Sequence, residues 1–107
     1  MSNLTLKESP VLSDFQQYVR EMVVERGFDD ETAPEIFMLF LEECGELAKA
    51  ARKLSNMHTD EQSAVHNLEH EAADVFMYLL DICNHFNVDL EKAFRAKEEI
   101  NKQRTWS

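Results

Sequence analysis

The chain has 107 residues, with 21 Asp and Glu against 11 Lys and Arg, a formal net charge of -10, and only two Gly and two Pro. That length allows one domain with a real core and no second one. The negative charge speaks against nucleic acid and against anionic membrane surfaces as partners, so an anionic ligand would need a divalent cation to mediate. Few helix breakers among long runs of 3.6-residue period predict an all-α fold.

Residues 1–11 carry no periodicity and include Ser9-Pro10, which predicts a loose N-terminal arm over residues 1–12 of a single domain, residues 1–107. Ser13 with Gln16 has the form of a capping box. Phe15, Tyr18, Val19, Met22 and Val23 make one apolar face and Gly27 supplies a stop, so a first helix is expected over residues 13–26. Thr32 with Glu35 is a second capping box, with Pro34 tolerated in the first turn, and opens a helix over residues 33–54. Its first half, residues 36–41, is apolar all round, as in a helix buried on several sides. A polar connection containing His58 follows. The third helix is expected over residues 63–86, its start as early as Thr59, with Leu68, Ala72, Val75, Leu79, Ile82 and Phe86 as the main stripe. Asp89 then caps a fourth helix over residues 90–103, where Lys97, Asn101 and Arg104 share one flank and Phe94 and Ile100 can pack. Cys44 and Cys83 lie in apolar helical context and read as reduced core residues of a cytoplasmic protein, with no signal peptide expected. The longest apolar run, residues 36–41, is far too short to span a bilayer.

The second helix carries the oddest stretch. At about 100° per residue, Ile36, Phe40, Leu47, Ala50 and Leu54 fall on one stripe, Glu43 falls among them and Glu46 on the edge. A carboxylate there is costly unless paired or bound to a cation. Glu42, Glu43 and Glu46 also repel one another by roughly 0.2–0.5 kcal/mol per pair. Gly45 adds about 1 kcal/mol of helix cost relative to Ala, which suggests that something approaches the backbone there. Such a concentration of local penalties marks function rather than stability. On the third helix Glu71 and Asp74 put two more carboxylates on one flank, with Tyr78 a turn beyond. Oxygen-only ligands on helices suit a hard cation, Mg2+ or Mn2+, which can clamp phosphates and activate a water. Zinc hydrolysis fits poorly, because His70-Glu71 lacks the second histidine of the H-E-x-x-H helix, and a di-iron bundle would want Glu-x-x-His pairs. The plainer readings are a solvated face for Glu42, dipole partners for Lys97 and Arg104, core packing for Tyr78 and a packing anchor in Trp106.

Glu42-Glu43-x-x-Glu46, then 24 residues, then Glu71-x-x-Asp74 resembles the signature of the MazG-like all-α nucleoside-triphosphate pyrophosphohydrolases. Similar flanking text, RGF, GELAKAARK and the run EAADVFMYLLDICNHFNVDLEKAFRAKEEINKQR, extends the resemblance over about residues 13–106. It implies a four-helix, bundle-like fold and hydrolysis of an NTP or dNTP to the monophosphate plus pyrophosphate, in clearance of unwanted nucleotides. Carried over by position, Glu43, Glu46, Glu71 and Asp74 would ligate Mg2+, or Mn2+, and Glu42 beside them would act as base. Tyr78 and Asn101 would hydrogen-bond sugar or base, Lys97 would neutralise phosphate, and Arg104 would lie nearby.

Two rival functions follow. The related phosphoribosyl-ATP pyrophosphohydrolases are similar in size and acid spacing, but their pattern favours a histidine after the tyrosine, where this chain has Leu79. A catalytically silent helical module for assembly or regulation would have no reason to keep carboxylates at all four ligand positions. Assembly itself is expected: two helices apolar around most of their girth compete for one small interior, so some of Phe37, Leu41, Phe76, Met77 and Leu80 would face water in a monomer. An obligate homodimer, or a tetramer made by pairing dimers, with a pocket near the subunit boundary, removes that exposure.

Overall fold

Helix α1, Leu12–Glu25, begins one residue ahead of its expected start, and the Ser13/Gln16 box does not form. Val11 stands at the cap in extended conformation, and its N–H donates to the Asp14 carboxylate at 2.9 Å. Asp14 therefore takes the capping role, and Gln16 turns inward. Gly27, at φ +75°, ends the helix: its N–H reaches the Val24 carbonyl at 3.1 Å and that of Phe28 reaches the Val23 carbonyl at 2.9 Å. This is a Schellman closure, which needs a left-handed residue at that point. The segment ahead of α1 runs back along it: the Ser2 hydroxyl donates to Glu25 at 2.9 Å, Leu4 packs on the core, and Lys7 pairs with Asp14 at 3.7 Å.

The computed structural model describes residues 2–56 and 61–104. His58, Thr59 and Trp106 lie outside them. Helix α2 is Ala33–Asn56, α3 is Glu61–His85 and α4 is Leu90–Lys102, and no strand occurs among the described residues. The Thr32/Glu35 box does form, the Glu35 N–H donating to the Thr32 hydroxyl at 3.4 Å and the Thr32 N–H to the Glu35 carboxylate at 3.3 Å. Asp89 caps α4 by accepting the Lys92 N–H at 3.1 Å. Between α3 and α4 the chain turns through Asn87 at φ 56°, with the Val88 N–H on the Cys83 carbonyl at 2.8 Å, a second Schellman closure in which Asn supplies the left-handed residue.

Helices α2 and α3 form a long pair, α1 packs on α3, and α4 lies chiefly against α1. The core sits between α1 and α3: Val19, Met22 and Leu80 are buried, with Phe15, Tyr18, Val23 and Phe76 around them. The rings of Phe15 and Phe76 meet edge to face at 5.6 Å. Leu80 and Cys83, rather than the expected main stripe of α3, are therefore its deepest residues, while Ala72 and Phe86 of that stripe are exposed. On α2 the expected stripe holds: Ile36 and Ala50 are buried and Phe40, Leu47 and Leu54 half-buried. The all-round apolar start of α2 is not covered on all sides. Phe37, Met38 and Leu41 are 42%, 71% and 65% exposed, because only α3 packs extensively on this helix. The radius of gyration, 16.5 Å, exceeds the roughly 13 Å of a compact domain of about 100 residues. Helix α4, strongly amphipathic, has no buried residue.

Candidate metal and catalytic centre

The middle turns of α2 and α3 bring their acids together. Glu43, Glu71 and Asp74 each offer a carboxylate oxygen, and the three oxygens lie within 4.8 Å of one another. Helical spacing makes this possible: Glu71 and Asp74, three apart, share the flank of α3 that faces Glu43 on the buried stripe of α2. Glu43 and Glu71 are half-buried, and their carboxyl groups share a hydrogen bond. One oxygen of Glu71, Oε2, is fully buried and has no hydrogen-bond partner among the described residues. An orphaned, buried carboxylate oxygen beside two further carboxylates fits a hard divalent cation by both charge and donor type. The residues present therefore suit Mg2+ or Mn2+.

Burial is the main cause that raises the Glu43 carboxyl above its ordinary value of 4.5, followed by the charges of Asp74 and Glu71, the hydrogen bond with Glu71, and Glu42. Such a group binds its proton more tightly folded than unfolded. Its contribution to stability is thus complete below about the ordinary value and is lost as pH rises through the folded value. Glu31 and Asp81 are raised too, chiefly by burial, and add the same sign. We therefore expect the melting temperature of the metal-free protein to fall as pH rises from about 4.5 toward neutrality, Glu43→Gln to flatten that slope, and Mg2+ to restore the loss at neutral pH. A scanning-fluorimetry series with and without the ion reads all three.

The other expected site residues are placed as follows. Glu42 and Glu46 are exposed on α2, and Glu46 is not in the triplet. Tyr78 is half-buried beside the acids. Burial first, then Glu43, Glu31, Asp74 and Asp81, push its phenol above the usual tyrosine range. Tyr78 thus stands between the triplet and a second acidic pair, Glu31 and Asp81, which the sequence reading passed over. The signal was present, since Asp74, Tyr78 and Asp81 recur at four and three residues on one face of α3. Gly45 is not crowded: among the described residues nothing lies within 4 Å of where a Cβ would stand, so the approach expected from its helix cost does not come from them. On α4 Lys97 is exposed and Asn101 half-buried, whereas Arg104, also exposed, lies two residues beyond the helix end and not on the flank expected to carry all three. That helix packs chiefly on α1, and the acids lie on the α2–α3 pair.

Among the described residues the fold is all helical, and its paired central helices converge three carboxylates that suit a hard cation. The model of the MazG nucleotide pyrophosphohydrolase domain matches residues 32–105, and the chain belongs to that family. No curated protein matches the chain closely. The match covers α2, α3 and α4, so α1 and the arm before it lie outside it. No helix among the described residues is long and apolar enough to cross a membrane.

Proposed function

We propose that the chain hydrolyses a nucleoside triphosphate, ribo or deoxy, to the monophosphate and pyrophosphate, as a cytoplasmic enzyme that clears unwanted nucleotides. The observation that carries this reading is the carboxylate triplet with its unpartnered Glu71 oxygen, set in a chain of the nucleotide pyrophosphohydrolase family. Glu43, Glu71 and Asp74, with Glu46 one turn along α2, would hold Mg2+, or Mn2+ in its place. When bound there, the cation would supply charge for the triphosphate oxygens and lower the pKa of an attacking water. Glu42, exposed next to the triplet, takes the proton of that water as general base. Lys97 neutralises phosphate charge with Arg104 beside it, and Tyr78 and Asn101 hydrogen-bond the sugar or base. Water and triphosphate are consumed and monophosphate and pyrophosphate leave in equal amounts, with no covalent intermediate on the protein.

The test is a panel of the common NTPs and dNTPs with Mg2+, scored for pyrophosphate and monophosphate together. Stoichiometric release of both from at least one nucleotide is expected. Release of orthophosphate alone overturns the reading. Absence of turnover across the panel and with phosphoribosyl-ATP returns the chain to the silent-module reading, and preference for phosphoribosyl-ATP moves it to histidine biosynthesis.

The working form is a homodimer, with pairing into a tetramer as its extension. Phe37, Met38, Leu41, Met77, Phe94 and Ile100 are all exposed, and beyond the half-buried Leu90 the apolar face of α4 is open. A second copy of the same surfaces covers them through a two-fold interface. Sedimentation at micromolar concentration is expected to give no folded species at the 12.5 kDa of one chain. A monodisperse helical monomer would refute it.

A further inference from the structure

Gln16 is the buried polar residue of the core, 6% exposed on the face of α1 that also carries Val19 and Met22. Its side chain is fully used. Nε2 donates to Asn84 Oδ1 at 3.0 Å and to the Val88 carbonyl at 2.9 Å, and Oε1 accepts the Leu90 N–H at 3.0 Å. Asn84 answers by donating Nδ2 to the Gln16 carbonyl at 2.9 Å, and Arg20 donates to Asn84 Oδ1 at 3.1 Å. One amide thus ties α1 to the last turn of α3, to the connection, and to the first residue of α4. The Leu90 N–H is one of the amides that a helix start leaves without an internal partner.

A simple need to fill the core would be met by Met or Leu at this position, without the requirement to satisfy a buried amide. What the amide adds is direction. Helix α4 has no buried residue and packs chiefly on α1, so apolar contact alone leaves its tilt weakly fixed. Lys97 lies seven residues into α4, about 10 Å from Leu90 at 1.5 Å per residue. A 10° change of tilt at Leu90 therefore moves the Lys97 backbone by about 2 Å, and displacements of about 1 Å can cost a hundredfold where a contact must meet a reacting group.

We propose that Gln16 is a positioning residue for the triphosphate site: through Asn84, Val88 and Leu90 it sets the angle of α4 and so aims Lys97. The proposal rests on the reading of Lys97 as a phosphate contact, and it extends the functional unit into α1, outside the part of the chain that the family model matches.

A double-mutant cycle tests it, with the Kd of a non-hydrolysable imido-triphosphate measured by calorimetry in Mg2+ beside the melting temperature of each variant. Gln16→Met keeps the volume and removes all three bonds; it is expected to weaken binding about tenfold, the scale of one or two lost hydrogen bonds. Lys97→Ala is expected to weaken it by at least as much. The double variant should bind no worse than Lys97→Ala alone, because Gln16 acts through Lys97. Losses that multiply, or a Gln16→Met protein with lower melting temperature and unchanged Kd, would show that the clamp is only structural and overturn the proposal. If Lys97→Ala binds as the wild type does, the phosphate reading falls and the positioning role falls with it. If only Gln16→Met binds normally, the positioning role alone is lost. Should Gln16→Met fail to unfold cooperatively, Asn84→Ala, which leaves the Gln16 bonds to Val88 and Leu90, takes its place with a smaller expected loss that again vanishes in the Lys97→Ala background.

Discussion

Replacing Glu71 by Gln is expected to remove Mg2+-dependent pyrophosphate release by about a thousandfold or more, while leaving the metal-free fold intact or more stable. The two effects have one source. The Glu71 Oε2 atom is buried with no hydrogen-bond partner among the described residues, so as a carboxylate it carries a desolvation cost that none of them offsets by a hydrogen bond. The amide is uncharged, keeps the shape, and can donate to the neighbouring Glu43 carboxylate. Relief of about 1–2 kcal/mol corresponds to a rise of several degrees in melting temperature for a domain of this size. The same substitution should abolish the further stabilisation that Mg2+ gives the wild type, because binding to the folded state alone is what produces it. Glu43→Gln should behave alike. Wild-type turnover in either variant would sink their assignment as ligands. A large loss of stability without metal would mean instead that the carboxylates are held by protein contacts.

The acids were legible in the sequence for a physical reason. Helix periodicity turns spacing into direction, so Glu43 on an apolar stripe and the pair Glu71 and Asp74 on one flank could be placed before any neighbour was known. The pairing of α2 with α3, which decides that these two flanks face each other, is a tertiary fact, and the stripes imply it without fixing its register. Gly45 shows where the inference overreached. A helix cost is evidence that something compensates, but it does not say whether the compensation lies inside the chain, and around Gly45 the described residues leave open space.

The role of Gln16 is hidden from the sequence for a different reason. Ser-x-x-Gln has the form of a helix start whether the glutamine reaches back to the cap or turns into the core. Asp14 decides the matter: its carboxylate accepts the Val11 N–H and starts the helix at Leu12, so Ser13 already lies inside it and is no cap. The polar residue was then free to make contacts 68 to 74 positions away, which no local pattern records. The end of α2 lies beyond the expected residue 54 for a smaller reason: Ser55 and Asn56 carry no apolar signal, yet the helix runs on through them, the Ser55 hydroxyl bonding back to the Ala51 carbonyl at 2.9 Å.

Two inactive variants are expected to make an active enzyme when mixed. In each chain the acids sit between α2 and α3, whereas Lys97 rides on α4, whose packing is chiefly with α1. If the pocket is completed at the boundary of two copies, the acids of one and the Lys97 of the other serve the same triphosphate. Glu71→Gln then disables the acids of its own chain, and Lys97→Ala disables the phosphate contact it lends to its neighbour. Unfolding and refolding an equal mixture gives about half mixed dimers, each with one site intact, so activity should recover to about one quarter of the wild type. Each variant refolded alone should stay near its own background, as should a mixture of Glu71→Gln with Glu43→Gln, which share one set of acids. Lys102→Ala is the matching control on α4: Lys102 pairs with Glu99 at 3.2 Å and should leave activity near normal. Recovery well above both backgrounds in the first mixture and not in the second requires that the site span two chains. No recovery, with sedimentation confirming that mixed dimers had formed, would place Lys97 beside the acids of its own chain.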